Sequence, residues 1–591
     1  MDAHFRYQQV GPKRDHPRAT LQLGRLPINI DVRSKLRSLI QRAGGIPSPL
    51  MRVLRIAALV LIFLLLYLNL PSMRPYTTDL VLKTSELRDV AAAAAKPMIL
   101  GDNDALPAND SARGAHPTAK HVINCNPDIG ALREIRDRYE LGDEIEYLKR
   151  YVRFSREPIE RQSYTVLQQS FLPDGEGDKS FRMLRLSRSQ HDEEECHNPL
   201  EVTVPQSHFP ADVDLSDFIF AISTTFKRLA NPRTIQEWSF WLTDGNGRSN
   251  GGKLLLRLLD ASEPDLLDVA QRLADAGIDA EVSAWDSRIE KEMAVRYLNL
   301  VPLLISHESS YAKKWFVLCD DDTFFTAMNK VIARFKRYDH TKPIYAGTLS
   351  EDMAAVKTHG SQAFGGAGVF LSRPMARIIS SVHESCRTRA KIKQSNTGWG
   401  PQGDILLRMC IYDNTDIRLT HLRDLWQLDI SGDASGFYES GLQPYSVHHF
   451  KSPRLWHSAY PLNTTKIAYT CGEDCPYQRF VTTDNFVISN GYSIAQYSNG
   501  IDFDLEQVER TFHALQHDKG WDFDYTYGPQ RPSLLKTGKK IAWELRESQN
   551  MEDGSVSQVY IRKKDDKRWT TKEGRLMKVL DGVIELVWIP A

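Results

Sequence analysis

The stretch that most constrains this chain is Trp315-Phe316-Val317-Leu318-Cys319-Asp320-Asp321-Asp322-Thr323-Phe324-Phe325. An apolar run of strand length breaks there into three consecutive carboxylates, and an aromatic pair follows at once. Such a run has the character of a central strand covered on both faces. Three adjacent carboxylates repel one another and are costly to bury unpaired, so they belong at the end of the strand. In open α/β sheets that carboxyl edge is where ligands bind. A hard divalent cation with oxygen ligands, Mg²⁺ or Mn²⁺, would relieve the repulsion and could hold a diphosphate. A solvated acidic turn is the competing reading of a bare Asp triplet. The hydrophobic lead-in and the aromatic follow-through favour the metal and nucleotide site.

A chain of 591 residues is too long for one core, so two or three domains plus irregular segments are expected. Lys+Arg and Asp+Glu are equal at 75 each, so no global basic field points to nucleic acid as partner. Ile56 to Leu70 carries no charge and stops at Pro71; with Val53 and Leu54 it approaches the roughly 20 residues of a membrane span. The tail before it is too long for a cleaved signal peptide. Arg25, Arg33, Lys35, Arg37, Arg42, Arg52 and Arg55 precede the segment, and only Arg74 follows closely. The positive-inside rule therefore predicts a single-pass type II protein whose long C-terminal part is luminal; the thinner membranes early in the secretory route, of the ER or Golgi, suit so short a span. In that compartment Asn109 and Asn463 head usable glycosylation sequons. The seven cysteines would meet oxidising conditions. Cys471 with Cys475, Cys386 with Cys410, and Cys125 with Cys196 are candidate pairs, leaving Cys319 as the free thiol. No two CxxC-type pairs occur to build a zinc site.

Taken in order, residues 1–52 read as a disordered basic cytosolic tail, 53–71 as the anchor, and 72–209 as a luminal stem and variable region. The last includes a charged helical stretch, Ile129–Arg156, and an acidic patch at Asp192–Glu195. Residues 210–465 alternate between strand and helix, which predicts a mostly parallel α/β sheet with right-handed crossovers. Phe218–Ser223 and Glu237–Leu242 are read as its first two strands. Helices are expected over Asp265–Ala276, Glu290–Leu304 and Thr326–Tyr338. Phe364-Gly365-Gly366-Ala367-Gly368-Val369-Phe370-Leu371 sets three glycines against an apolar strand, where backbone can approach closely. Asp404 opens an apolar helix, where an Asp is first of all a cap. His448-His449 end a short strand. Residues 466–591 alternate as strands do and form a β-rich extension without a catalytic constellation.

Phe218–Phe226 followed by Phe240–Gly245, then Trp315–Phe325, Phe364–Phe370, Gly403-Asp404, and Leu425–Asp433 through Ser446–His449 resemble, in that order, the motifs of Fringe-type glycosyltransferases. They are most similar to the family 31 branch that contains relatives of core 1 galactosyltransferase. The resemblance covers roughly Asp217 to Ser452. It implies a GT-A fold, a UDP-sugar donor (Gal, GlcNAc or Glc), Mn²⁺ or Mg²⁺ as cofactor, a glycan or glycoprotein acceptor, and inversion to a β-linkage. Carried over by residue, Asp322 would ligate the metal, with His448 or its rival His449 as a second ligand. Asp320 and Asp321 would contact the ribose or metal-bound water, and Thr224 and Thr225 would border the uracil pocket. Asp244 and Gly366 fall with the donor-binding residues, and Asp404 would be the base. The residue types suit the chemistry: a leaving diphosphate needs its growing charge neutralised, and a separate carboxylate must take the acceptor proton. Gly403 stands where the family has the first member of an acidic pair. An inactive glycan-binding or chaperone-like relative is the alternative. A metal-dependent phosphodiesterase would need a second acidic and histidine cluster that the sequence does not offer.

Overall fold

Trp315–Leu318 lies completely buried in the middle of an eight-stranded sheet. In this computed structural model, residues 81–87, 121, 123–172, 180–188, 196–514 and 522–591 are described. The tail, the anchor segment 53–71, Asn109 and the acidic patch lie outside them. Among the described residues no helix is long and apolar enough to cross a membrane.

The sheet runs Leu82–Lys83, Ala280–Trp285, Lys253–Leu259, Phe218–Thr225, Trp315–Leu318, Val369–Ser372, Tyr345–Gly347, Thr420–His421. Its second to fifth strands are mutually parallel, as predicted, whereas Val369–Ser372 runs antiparallel to Trp315–Leu318. Alternate residues serve two cores. Phe218, Phe220 and Ile222 face one, while Ile219 and Ala221 face the other beneath the helices Met293–Ser306, Arg373–Cys386 and Gly403–Asn414. This two-sided burial is why the strands read as continuous apolar runs.

Glu237–Leu242, expected to be a strand, is the second half of the helix Pro232–Leu242. Asn231 caps it by accepting from the Arg233 N–H, and Pro232 occupies the first turn. A short apolar run fits both periods, and the Asn-Pro start decides for the helix. Trp238 and Trp241, three apart, are both buried. Glu237 is buried as well, satisfied by Arg233 at 3.1 Å and Lys451 at 2.6 Å.

The predicted helix Ile129–Arg156 is helical only over Ile129–Tyr139; a long strand, Glu144–Glu157, follows. That strand pairs in parallel with the C-terminal strand Asp581–Pro590 and belongs to a separate ten-stranded sheet. Tyr164–Val166, Arg182–Arg185 and Leu200–Pro205 join the same sheet. Residues assigned by sequence to the stem and variable region thus complete the β-rich extension. The cysteines pair as Cys125–Cys196, Cys386–Cys410 and Cys471–Cys475, and Cys319 is free and buried.

Candidate active site

The Trp315–Leu318 strand ends and Asp320–Asp322 turn outward at the carboxyl edge of the parallel strands. Thr323 ties the turn down: its hydroxyl accepts from the Asp320 N–H at 2.9 Å and donates to the Gly366 carbonyl at 2.8 Å. Phe324-Phe325 then pair antiparallel with Ser446-Val447, Phe324 opposite Val447. One step further in that register sets His448 opposite Thr323, beside the triplet. His448 Nε2 lies 3.0 Å from Asp322 Oδ1 and 3.6 Å from Asp320 Oδ2. These three side chains offer ligand atoms all within 4.8 Å of one another.

The electrostatics are those of a cation site. Burial alone would lower the His448 pKa, but Asp322 and Asp320 outweigh it and push it up to about 9. Burial would raise Asp322, yet the adjacent His448 holds it well below the usual carboxylate range. Desolvation and the carboxylates of Asp322 and Asp321 push Asp320 up to about 6, against the pull of His448. An imidazolium here does part of the work of a divalent ion, and metal binding would displace its proton. Two carboxylates and an imidazole are a donor set that suits Mn²⁺, and Mg²⁺ with more of its own water.

Gly366 is the clearance for this site. A Cβ there would lie 2.1 Å from the His448 ring. Its lack of a side chain is what lets the His448 ring sit against it, and it lines the same cavity as Asp320 and His448. His449 diverges from the cluster. Its backbone is left-handed (φ 61°), its ring stacks on Trp456 at 4.1 Å, and its Nδ1 lies 3.3 Å from Asp429. Of the two histidines, His448 faces the triplet. Asp321 turns away to the exposed guanidinium of Arg228, whose Nε and Nη2 each approach it at 2.5 Å, and accepts from the Thr224 hydroxyl. Thr225 caps the following helical turn by accepting from the Arg228 N–H. Thr224 and Thr225 thus sit on the same edge as the triplet. Asp244 does not: it lies in the turn that leads into the amino end of Lys253–Leu259, which runs parallel to the triplet strand, and so occupies the opposite edge. There it orders its own loop, accepting from the Asn246 and Arg248 N–H groups.

Asp404 lies in the first turn of Gly403–Asn414, with Gln402 at the cap position. It shares with Asp320 and His448 one cavity of about 360 Å³. Its pKa is raised by burial and by Asp429, against His359 and the N–H groups of Ile405 and Gly365. Gly403 has a packing reason to be glycine, since a Cβ would fall 2.4 Å from Cβ of Tyr297. Asn463 heads its sequon inside the short helix Pro461–Thr465, where its Nδ2 donates to the Arg546 carbonyl and Thr465 is buried.

Residues 355–583 match a family model described as "Protein of unknown function, DUF604". No curated protein matches the chain. Among solved structures it is similar to mouse xyloside xylosyltransferase 1 (12% identity, TM-score 0.26, covering 39% of this chain and 97% of that one). It is similar also to a glycosyltransferase involved in glycosylation of the major capsid of PBCV-1 (12%, TM-score 0.23, 39% and 92%). A third is the glycosyltransferase GlyE of Streptococcus pneumoniae TIGR4 (14%, TM-score 0.26), of which 57% is covered by 41% of this chain.

Sequence reasoning missed Arg228 and Asp429. Arg228 stands three residues after Thr225, a spacing that brings a helix-start side chain back over the strand end. Asp429 is buried on the cavity wall, accepting from the Ser350 hydroxyl at 2.6 Å. It lies inside the Leu425–Asp433 stretch, which carries part of the resemblance, but the resemblance gives it no role there.

Proposed function

We propose that this protein is a metal-dependent glycosyltransferase that moves a sugar from a UDP-sugar to a hydroxyl of a glycan or glycoprotein. The observation that carries the reading is one cavity lined by Asp320 and His448 of the acidic cluster and, separately, by Asp404. Asp320, Asp322 and His448 would hold Mn²⁺, which when bound supplies charge neutralisation for the departing diphosphate. Arg228, exposed and paired to Asp321, adds a fixed positive charge at the same edge. Asp404 accepts the proton of the acceptor hydroxyl, and its raised pKa makes it a better base near neutrality than a free carboxylate. A base separate from the metal cluster is what an inverting displacement needs, and inversion of an α-linked UDP-sugar gives a β-linkage. The same reading includes anchoring through 53–71 with the catalytic part in the Golgi or ER lumen. The charge bias around that segment and three disulfides support it.

The test is UDP release by the full chain with a panel of UDP-sugars, with Mn²⁺ or with chelator. Chelator-sensitive release that disappears in Asp322→Ala, the variant remaining folded by circular dichroism, is expected. Turnover in Asp322→Ala equal to wild type sinks the site. Mn²⁺-dependent UDP binding without turnover on any donor and acceptor pair favours the inactive binding relative.

A further inference from the structure

Asn396-Thr397-Gly398-Trp399-Gly400-Pro401-Gln402 forms a built turn at the mouth of the cavity. The Asn396 side-chain oxygen accepts from the N–H groups of both Gly398 (2.8 Å) and Gly400 (3.2 Å). Asn396 and Pro401 form a bridge, and Gln402 donates to the Gly400 carbonyl at 2.9 Å. Gly398 and Gly400 have φ of 102° and 100°, a backbone conformation that side chains resist, so the turn is specified around the residue between them. That residue is Trp399, which lines the cavity and yet is 69% exposed. A single exposed apolar side chain needs no explanation by itself; what singles Trp399 out is that a fixed turn holds it on the wall of the cavity that also contains the candidate base, five residues on.

The cavity that Trp399 lines mixes apolar side chains such as Phe364 and Leu455 with the hydrogen-bonding groups of Thr358, His359, Thr397, Gln402 and Asp404. One flat apolar face rimmed by hydrogen-bonding side chains is the complement of a pyranose, which has a C–H face and a rim of hydroxyls. A peptide acceptor would instead call for main-chain partners, such as an open strand edge. We propose that Trp399 is the acceptor platform, and that the acceptor is a carbohydrate whose ring stacks on the indole and turns a hydroxyl to Asp404. This rests on the glycosyltransferase reading of the site and adds to it the acceptor class and the residue that selects it.

The experiment uses the full chain, its Trp399→Ala and Trp399→Phe variants, and the UDP-sugar that wild type turns over. Acceptors are methyl glycosides of common hexoses and N-acetylhexosamines, short oligosaccharides, and Ser/Thr-containing peptides. UDP affinity in Mn²⁺ is measured calorimetrically in parallel. The expected result is transfer to a glycoside, with the acceptor KM of Trp399→Ala raised on the order of ten-fold. The value of kcat and the UDP affinity should hold, and Trp399→Phe should recover most of the loss. An unchanged acceptor KM in Trp399→Ala overturns the platform, and transfer to peptides alone overturns the acceptor class. Absence of both UDP binding and UDP release in wild type removes the underlying reading, and the inference with it.

Discussion

Gly366→Ala would set a methyl carbon 2.1 Å from Nδ1 and Cε1 of His448 and 2.5 Å from its Cγ. Non-bonded heavy atoms settle at about 3.5–4 Å, so the ring would have to retreat by roughly 1.5 Å. It has little room, because His448 is 3% exposed and its ring lies 3.8 Å from that of His449. Nor is Gly366 free to recoil, since its carbonyl accepts from Thr323 and the next residue's N–H donates to Gln427. Overpacking of this kind costs about 1–3 kcal/mol, which a domain of ordinary stability survives. The functional cost is larger in proportion. A shift of that size takes Nε2 well outside its 3.0 Å approach to Asp322, whereas metal–ligand distances tolerate only about 0.2 Å. Mn²⁺ affinity should fall about ten- to hundred-fold, or about 1.4–2.7 kcal/mol. Titrating the variant with Mn²⁺ by electron paramagnetic resonance, beside a melting curve, separates the two effects. A folded Gly366→Ala with wild-type Mn²⁺ affinity would refute the assignment of His448 as ligand.

His448→Ala should abolish tight Mn²⁺ binding while His449→Ala keeps it, because His448 reaches the carboxylates of Asp320 and Asp322 whereas His449 reaches Asp429; equal losses in the two titrations would contradict the geometry. Gly403→Asp, which creates an acidic pair with Asp404, should lower the melting temperature, since its Cβ falls against Tyr297; costs of about 1–3 kcal/mol are typical, and unchanged stability would count against the packing account. Glu473, 3% exposed and apart from the cavity, has its pKa pushed up to about 8 by burial, with Asp474 adding to the shift and Asn329 and Lys330 opposing it. The folded chain therefore binds an extra proton between the ordinary value of 4.5 and about 8, and this group's contribution to stability falls as pH rises through that window. Glu473→Gln should raise the melting temperature relative to wild type at about pH 8 and lose that advantage at about pH 5; a difference independent of pH would rule out the linkage.

Much of the candidate site was readable in the chain because each part is announced by neighbours in sequence. The triplet follows its own apolar strand, Asp404 begins its own helix, and the histidine pair ends its own strand. Three disulfides matched their candidate pairs, although only Cys471 and Cys475 are close in sequence. Glu237–Leu242 misled because six residues do not separate a period of 2 from one of 3.6. Glu144–Glu157 misled for a different reason. Its charged and apolar residues alternate in part with the period of a strand, but it runs on from the charged helix Ile129–Tyr139, and its strand partner, Asp581–Pro590, lies over four hundred residues away.

What the sequence determined by itself was the local chemistry: which carboxylates sit at a strand end, which stretches are apolar enough to be central, and which turns demand glycine. Tertiary structure alone decided which of these groups meet. It paired Asp321 with Arg228, leaving Asp320 and Asp322 for His448, and it put Asp244 on the far edge of the sheet. It also turned Gly366 and Gly403 from apparent motif positions into clearances for His448 and Tyr297. The reason is one of range. Propensity, capping and charge repulsion act over a few residues and can be read from the order of side chains. Strand register and close packing are settled between segments far apart in the chain, by fit that no single segment encodes.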